Sequence, residues 1–181
     1  MGETVLLGEA GFEAVLVTHH GEIYRYLRRL ATRAAEADDL SQETFLRAYR
    51  ARDRLTPDAN VRAWLFAIAT NVFRNHLRSE RRRRAAHDTV RATRREADAD
   101  GPEAQAVAGE VGTLAEATIR GLPLKQRLAF TMRKMHDLGY DVIGQSLACS
   151  PESARAHVFQ ALRKIRTTLN GYALPTTEPQ R

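Results

Sequence analysis

The chain of 181 residues carries 28 lysines and arginines against 22 aspartates and glutamates, a formal net charge of +6, and it contains one cysteine. A single cysteine excludes an internal disulfide and any metal site built from several cysteines. No apolar run approaches the roughly 20 residues that span a bilayer, and the amino terminus lacks a signal pattern, which predicts a cytoplasmic protein without membrane insertion.

Composition favours an all-α fold, because glycine and proline are sparse, with 11 and 6 residues, and no run of alternating β-branched residues predicts a strand. The excess of positive charge suits a polyanionic partner such as nucleic acid. A ribosomal, membrane-surface or merely soluble protein would also carry it, so charge alone does not choose the partner.

The first predicted helix follows the apolar residues that recur at helical spacing from Phe12 to Leu30. His19 and His20 lie within it. Adjacent helical positions point about 100° apart and no third ligand lies nearby, so we interpret these histidines as structural or solvent-facing rather than metal-binding. We predict no metal and no cofactor anywhere in the chain.

A second helix is predicted over residues 35–52, with Asp38 and Asp39 acting as acidic caps at its amino end. Helical periodicity predicts a buried arc, formed by Leu40, Thr44, Phe45, Ala48 and Tyr49. The opposite arc is charged apart from Leu46. A leucine surrounded by charge is either a single exposed apolar residue or the centre of a protein-docking surface.

Residues 53–60 predict a loop, since Pro57 is followed by Asp and Asn. The loop is either a connector or a holder for an extruded base. The third helix is predicted over residues 60–84, is apolar around most of its circumference and ends in four arginines. Its one polar stripe is predicted to comprise Ala63, Ala67, Thr70, Asn71, Arg74 and Arg78, with Asn75 at the margin. Such a stripe is either solvated or, as small residues, amides and arginines together favour, in contact with nucleic acid.

The remaining chain divides into a linker, a second domain and a tail. Residues 85–112 lack a sustained apolar period and predict a flexible linker between domains at 1–84 and 113–171, and residues 172–181 predict a disordered tail. In the second domain, Asp141 is predicted to cap a short helix. A turn at 148–150 follows, and Ser150 and Pro151 predict the cap and first residue of a last helix.

Two helices joined by a three-residue turn predict a helix-turn-helix, although an ordinary helical hairpin has the same pattern. The outward face of the last helix is predicted to present Glu152, Arg155, Ala156, Phe159, Gln160 and Arg163. Exposure of Phe159 favours a DNA-binding surface, because an aromatic ring can rest on a thymine methyl group or a sugar.

Three motifs in this order resemble the bacterial sigma-70 family of RNA polymerase sigma factors, in particular the extracytoplasmic-function type, over residues 12–169. Residues 38–49, DDLSQETFLRAY, are similar to the family's polymerase-docking helix. Residues 62–71, RAWLFAIATN, are similar to its minus-ten recognition stretch. The Leu122-Pro123 pair and residues 147–166 are similar to its minus-35 helix-turn-helix pattern.

The resemblance implies two small helical domains, sigma region 2 and sigma region 4, and a role for three groups of residues. The expected docking surface for the clamp helices of the polymerase largest subunit comprises Asp39, Leu40, Gln42, Glu43, Leu46 and Arg47. The expected minus-ten contacts are Asn60, Arg62, Trp64, Asn71, Arg74, Asn75 and Arg78. Trp64 is expected to serve more as an anchor of the helix than as a base contact. The expected minus-35 contacts are Ser153, Arg155, Ala156, His157, Phe159, Gln160 and Arg163.

The chain departs from the family pattern in the helix-turn-helix. Ala148 replaces the usual glycine, and Ala154, Ala156, His157 and Gln160 replace the commoner Val, Ser, Arg and Arg. The resemblance therefore implies either that the chain recognises an unusual minus-35 sequence or that it binds the minus-35 element weakly.

We predict a sigma factor, and not an enzyme, that binds core RNA polymerase through the clamp helices and flap region, recognises minus-35 and minus-ten elements and stabilises the melted strand. An anti-sigma factor is expected as a further partner. Two alternatives are a stand-alone helix-turn-helix regulator, which would bind operators without polymerase, and an interaction adaptor without DNA affinity.

Overall fold

The computed structural model describes residues 9–56, 58–91 and 110–172, which form two compact units divided between Glu103 and Ala104. Within these described ranges the chain is helical and contains no strand. The prediction of an all-α protein with two helical domains is confirmed. None of the helices in this part of the chain is both long and apolar enough to cross a bilayer.

The first unit consists of α1 (Glu9–Leu30), α2 (Ala34–Ala51), a short 3-10 helix (Arg52–Arg54) and α3 (Val61–Arg91). Each helix buries an apolar face against the other two, and the largest side chains of this core with almost no exposure are Ile23, Tyr26, Leu27, Leu65, Phe66 and Phe73. A buried hydrogen bond of 2.9 Å joins the hydroxyls of Tyr26 in α1 and Thr70 in α3. Because the two hydroxyls are hydrogen-bonded to each other, their burial in the core costs little free energy of folding.

The polar stripe predicted on α3 is wrong at two positions. Thr70 is fully buried and Ala63 is 8% exposed, so both face the core. Helical spacing predicted Thr70 on the polar stripe, whereas its hydroxyl is hydrogen-bonded in the core to a residue 44 positions away in the chain.

Helix α2 begins earlier than its predicted acidic caps. Its N-cap is Arg33, which makes no side-chain capping bond, and Asp38 and Asp39 lie beyond the first turn. The acidic residue of the first turn is Glu36, whose carboxylate accepts hydrogen bonds from the backbone N–H of Thr32 (2.9 Å) and its hydroxyl (2.7 Å).

Two helices enter the segment predicted as a flexible linker. Helix α3 continues past residue 84 to Arg91, and the first helix of the second unit begins at Glu110, so both ends of the 85–112 segment are helical. Residues 92–109 lie outside the described residues, as do residues 173–181 of the predicted tail.

The second unit consists of α4 (Glu110–Arg120), α5 (Leu124–Met135), α6 (Tyr140–Leu147) and α7 (Pro151–Tyr172). Helix α7 packs against the other three, and the core includes Leu128, Met132, Ile143, Leu147 and Ala161. The N-cap of α6 is Gly139 in an extended conformation, so Asp141 lies in the first turn and is not the predicted cap.

The turn between α6 and α7 has the predicted three residues. Ala148 adopts a left-handed conformation (φ 51°, ψ 56°), and the N–H of Cys149 donates to the carbonyl of Gly144 at 2.9 Å. A Cβ on Gly144 would lie 2.7 Å from the carbonyl oxygen of Cys149, so this close approach requires glycine. Ser150 Oγ accepts from the N–H of Ser153 at 3.2 Å, which confirms the predicted cap of α7.

Candidate polymerase and promoter interfaces

The outward face of α2 has an apolar centre and a charged rim. Leu46 is 44% exposed, and the residues around it that are exposed or half-buried are Asp39, Gln42, Glu43 and Arg47. Glu43 and Arg47 form an i, i+4 ion pair with 2.6 Å between Oε1 and Nε. Leu40, which was predicted on this surface, is only 5% exposed because it packs in the core. Its contribution is to support the surface from beneath.

An apolar groove between α1 and α2 borders this surface, and sequence reasoning missed it. Its apolar lining includes Phe12, Leu16, Phe45, Leu46 and Tyr49. Tyr49 was predicted to be buried but is 36% exposed, and the guanidinium of Arg52 lies 3.9 Å from its ring centroid. Arg52 thereby covers one face of a ring that helical periodicity predicted to be buried.

The exposed stripe of α3 is shifted from the predicted one. Asn71, Asn75 and Arg78 are exposed at spacings of four and three residues, and Trp64 and Arg74 are half-buried beside them. The stripe therefore presents amides and a guanidinium flanked by part of an indole ring. The four arginines at 81–84 are also exposed and continue the positive charge along the helix.

Two predicted minus-ten residues have structural partners within the first unit. Asn60 caps α3, since its Oδ1 accepts from the N–H of Ala63 at 2.9 Å. Arg62 forms a two-pronged ion pair with Glu22 of α1, with 2.5 Å between Nη2 and Oε1 and 3.0 Å between Nε and Oε2. This pair ties α1 to the start of α3, and its partner 40 residues away was not evident from sequence.

The outward face of α7 is exposed as predicted, with Phe159 65% exposed. The other exposed members of the predicted minus-35 set are Ser153, Arg155, Ala156, Gln160 and Arg163. His157 differs, because it is half-buried. Burial and the nearby charge of Lys125 lower the pKa of His157, so this imidazole is held neutral near pH 7.

Two side chains of α7 are held by residues from other helices, which the outward pattern did not reveal. The guanidinium of Arg155 lies 5.1 Å from the ring centroid of Tyr140 at the start of α6. Nε2 of Gln126 in α5 donates a hydrogen bond to Oε1 of Gln160 at 2.7 Å. Contacts with other helices therefore restrict the side-chain conformations of Arg155 and Gln160 on the outward face of α7.

Comparison with known proteins accounts for both units. Residues 16–84 match the family Sigma-70 region 2, and residues 113–165 match Sigma-70, region 4. The RNA polymerase sigma-H factor of Pseudomonas aeruginosa is 30% identical over 87% of this chain and 86% of its own length. The chain belongs to the sigma-70 family. Its resemblance to sigma factors of the extracytoplasmic-function type is also confirmed, since the ECF RNA polymerase sigma-E factor of Escherichia coli is 26% identical over 87% of this chain and 85% of its own length.

Two solved structures share the fold. The sigma factor RpoE of Bartonella quintana, solved in complex with the anti-sigma factor NepR, has a TM-score of 0.67 and 22% identity, covering 88% of this chain and 96% of its own. CnrH, solved in complex with the cytosolic domain of CnrY, has a TM-score of 0.66 and 20% identity, covering 91% and 90%. As a sigma factor, the chain is a promoter-specific initiation factor that binds RNA polymerase, as its motifs predicted.

Proposed function

We propose that this sigma factor divides its work among three exposed surfaces. The face of α2 around Leu46 binds core RNA polymerase, the α3 stripe binds the minus-ten element, and the outward face of α7 binds the minus-35 element. The observation that carries this assignment is that each motif similar to the family presents an exposed face of matching chemistry.

The α2 surface suits a protein partner. An apolar centre within a charged rim is the usual anatomy of a protein interface, and the Glu43–Arg47 ion pair positions two rim charges. We assign the clamp helices of the polymerase largest subunit to this surface, and the flap region to the second unit, because the motifs resemble those of sigma factors.

The α3 stripe suits a single DNA strand. Asn71 and Asn75 can donate to and accept from base edges that are exposed only when the duplex is open, and Arg78 can bind phosphate. Strand opening then follows from differential binding, since unpaired bases gain contacts that the duplex lacks. Trp64 lies beside the stripe and anchors the helix.

The face of α7 suits a major groove. Arg155, Gln160 and Arg163 carry donors for base edges and phosphates, and Phe159 provides an apolar contact. His157 contributes little charge, because its pKa is lowered. The grip on the minus-35 element therefore depends on two arginines and the Gln160 amide.

We further propose that the chain acts in the cytoplasm, has no catalytic activity of its own, and is inhibited by an anti-sigma factor. The sigma factor RpoE, which shares the fold, was solved in complex with the anti-sigma factor NepR. An inhibitor that covered the α2 surface or the α7 face would prevent initiation without destroying the sigma factor.

Reconstitution with core RNA polymerase tests this assignment. The full chain is incubated with core enzyme and a promoter library randomised over the minus-35 and minus-ten elements, and transcripts are sequenced. We expect a stable complex and selection at both elements. Operator binding without polymerase would favour a stand-alone regulator, and absence of both a complex and DNA affinity would overturn the proposal.

A further inference from the structure

The amide of Gln160 is held in one orientation by a residue outside the helix-turn-helix. Nε2 of Gln126, in α5, donates to Oε1 of Gln160, in α7, with 2.7 Å between the two atoms. This distance lies at the short end of the usual range for an N–H···O hydrogen bond. The bond links two residues that are 34 positions apart in the chain, and it is exposed to solvent.

Burial of the other Gln126 amide atom selects this orientation. Oε1 of Gln126 is buried and accepts no hydrogen bond from the described residues. If the amide were reversed, an NH₂ group with two unpaired donors would occupy the buried position, where there is now a single oxygen. Unpaired buried N–H groups are rarer in proteins than under-satisfied carbonyl oxygens, so the observed amide orientation has the lower free energy.

The bond determines what Gln160 offers to a ligand. A free glutamine presents both an acceptor and a donor, which is the pair that recognises N6 and N7 of adenine. In this chain the Gln160 oxygen is turned towards Gln126 and one of its two lone pairs is engaged, so the NH₂ group is the part of the amide left entirely free for a ligand. An NH₂ group alone matches base edges that carry acceptors, namely N7 and O6 of guanine or O4 of thymine.

We propose that Gln126 is a specificity-positioning residue, which fixes the Gln160 amide so that it reads a guanine or thymine, and not an adenine, within the minus-35 element. This inference rests on the proposed contact of α7 with minus-35 DNA. Gln126 acts through Gln160 and need not touch the DNA itself.

Substitutions at position 126 separate positioning from contact. Gln126→Met is close in size but makes no amide hydrogen bond, so it releases Gln160 and moves its preference towards adenine. Gln126→Glu supplies a carboxylate that can only accept, so Gln160 turns its NH₂ group inward and exposes Oε1. The preferred base then becomes one with an exocyclic amino group, cytosine or adenine.

The measurement is transcription by the holoenzyme from a library randomised over the minus-35 element. Transcripts are sequenced for wild type, Gln160→Ala, Arg155→Ala, Gln126→Met, Gln126→Glu and the double variant Gln126→Glu with Gln160→Ala. Gln160→Ala identifies the base pair that Gln160 contacts, since preference there relaxes about fivefold or more. At that same base pair we expect the Met and Glu variants to change the preferred base. The double variant removes this change and retains any general loss caused by the added negative charge.

The outcomes distinguish this inference from the proposed function. If Gln160→Ala relaxes one base pair while both single variants at 126 keep the wild-type preference, the positioning role is overturned and the α7 contact stands. If Gln160→Ala relaxes no base pair although Arg155→Ala reduces minus-35 selection, Gln160 is not a reader and the inference fails. If neither variant affects minus-35 selection, the assignment of α7 itself fails.

Discussion

Glu36, in the first turn of α2, contacts both the segment between α1 and α2 and helix α3. Its carboxylate accepts two hydrogen bonds from Thr32 and lies 2.8 Å from Nε2 of His76. Burial by itself would raise the pKa of Glu36, but the Thr32 hydrogen bonds and the charge of His76 outweigh it and hold the pKa below its ordinary value of 4.5. The charged carboxylate is therefore favoured by folding.

Stability of the first unit should consequently depend on the charge of Glu36. Since its folded pKa is lower than its unfolded pKa, the stabilisation is present above pH 4.5 and is lost as pH falls through the folded value. Glu36→Gln should lower the free energy of unfolding by about 1 kcal/mol at pH 7 and should reduce the dependence of that free energy on pH below pH 4.5. Fluorescence of Trp64, the only tryptophan, reports unfolding of this unit in denaturant. Equal pH dependence in the two proteins would contradict the role of Glu36.

Leu46 should be the energetic centre of the polymerase-binding surface. Leu46→Asp places a charge at the apolar centre and should weaken binding to core polymerase about 30-fold, measured by titration with labelled core enzyme. Val17→Asp is the matched control, because Val17 is more exposed, at 77%, and lies outside the proposed surface. Equal losses in both variants would mean that Leu46 acts through general charge or solubility.

Asn71 should matter after polymerase has bound. Asn71→Ala removes an exposed amide from the α3 stripe and should reduce open-complex formation about tenfold, with little effect on core binding. Permanganate reactivity of unpaired thymines measures opening. Asn170→Ala, an exposed asparagine in α7, is the control. Normal opening on a duplex promoter by the Asn71 variant would contradict the stripe assignment.

At the scale of elements, the turn between α6 and α7 stores conformational strain. Ala148 has a φ of 51°, where an L-residue costs about 1–2 kcal/mol relative to glycine. Glycine loses more entropy on folding, so Ala148→Gly should stabilise the second unit by a net amount of about 1 kcal/mol.

Hydrogen exchange of the α6 and α7 amides measures this change. Ala156→Gly, at an exposed position within α7, should have the opposite sign and destabilise by about 1 kcal/mol. Destabilisation by both substitutions would show that Ala148 is not strained.

Local signals predicted the elements better than they predicted the contacts between them. Periodicity and the Ser150-Pro151 pair predicted the last helix and its cap, because these depend on neighbouring residues. The Tyr26–Thr70, Arg62–Glu22 and Gln126–Gln160 pairs were not predicted, since each joins helices that are distant in sequence. The error at Thr70 has this cause: a polar residue was predicted at the surface although a distant partner satisfies it within the core.

For the whole molecule, charge should affect DNA binding more than polymerase docking. The net charge is +6, and the proposed DNA faces carry arginines, whereas the docking surface is centred on a leucine. Arg163→Ala should reduce by about 0.9 the slope of log affinity against log salt for promoter binding by holoenzyme. Its binding to core polymerase should be unchanged. A wild-type salt slope would exclude a phosphate contact at Arg163.

The order of three motifs along the chain was enough to predict the family, and with it two helical domains. Prediction of which side chains are exposed was less successful, because exposure depends on packing: Leu40 lies in a predicted motif but is buried in the core, and Arg62 is paired with Glu22. The sequence therefore predicts the proposed interfaces by segment, and the fold determines which side chains are exposed on them.

The buried hydrogen bond between the hydroxyls of Tyr26 and Thr70 also limits how far α3 can rotate. Thr70 immediately precedes Asn71, so rotation of α3 about its axis would break a buried hydrogen bond and leave the Thr70 hydroxyl unpaired. Asn71 and Asn75 are thus held facing outward in the free protein. If α3 binds the minus-ten strand as proposed, it loses little conformational entropy on binding, and base contacts contribute more fully to keeping the strands apart.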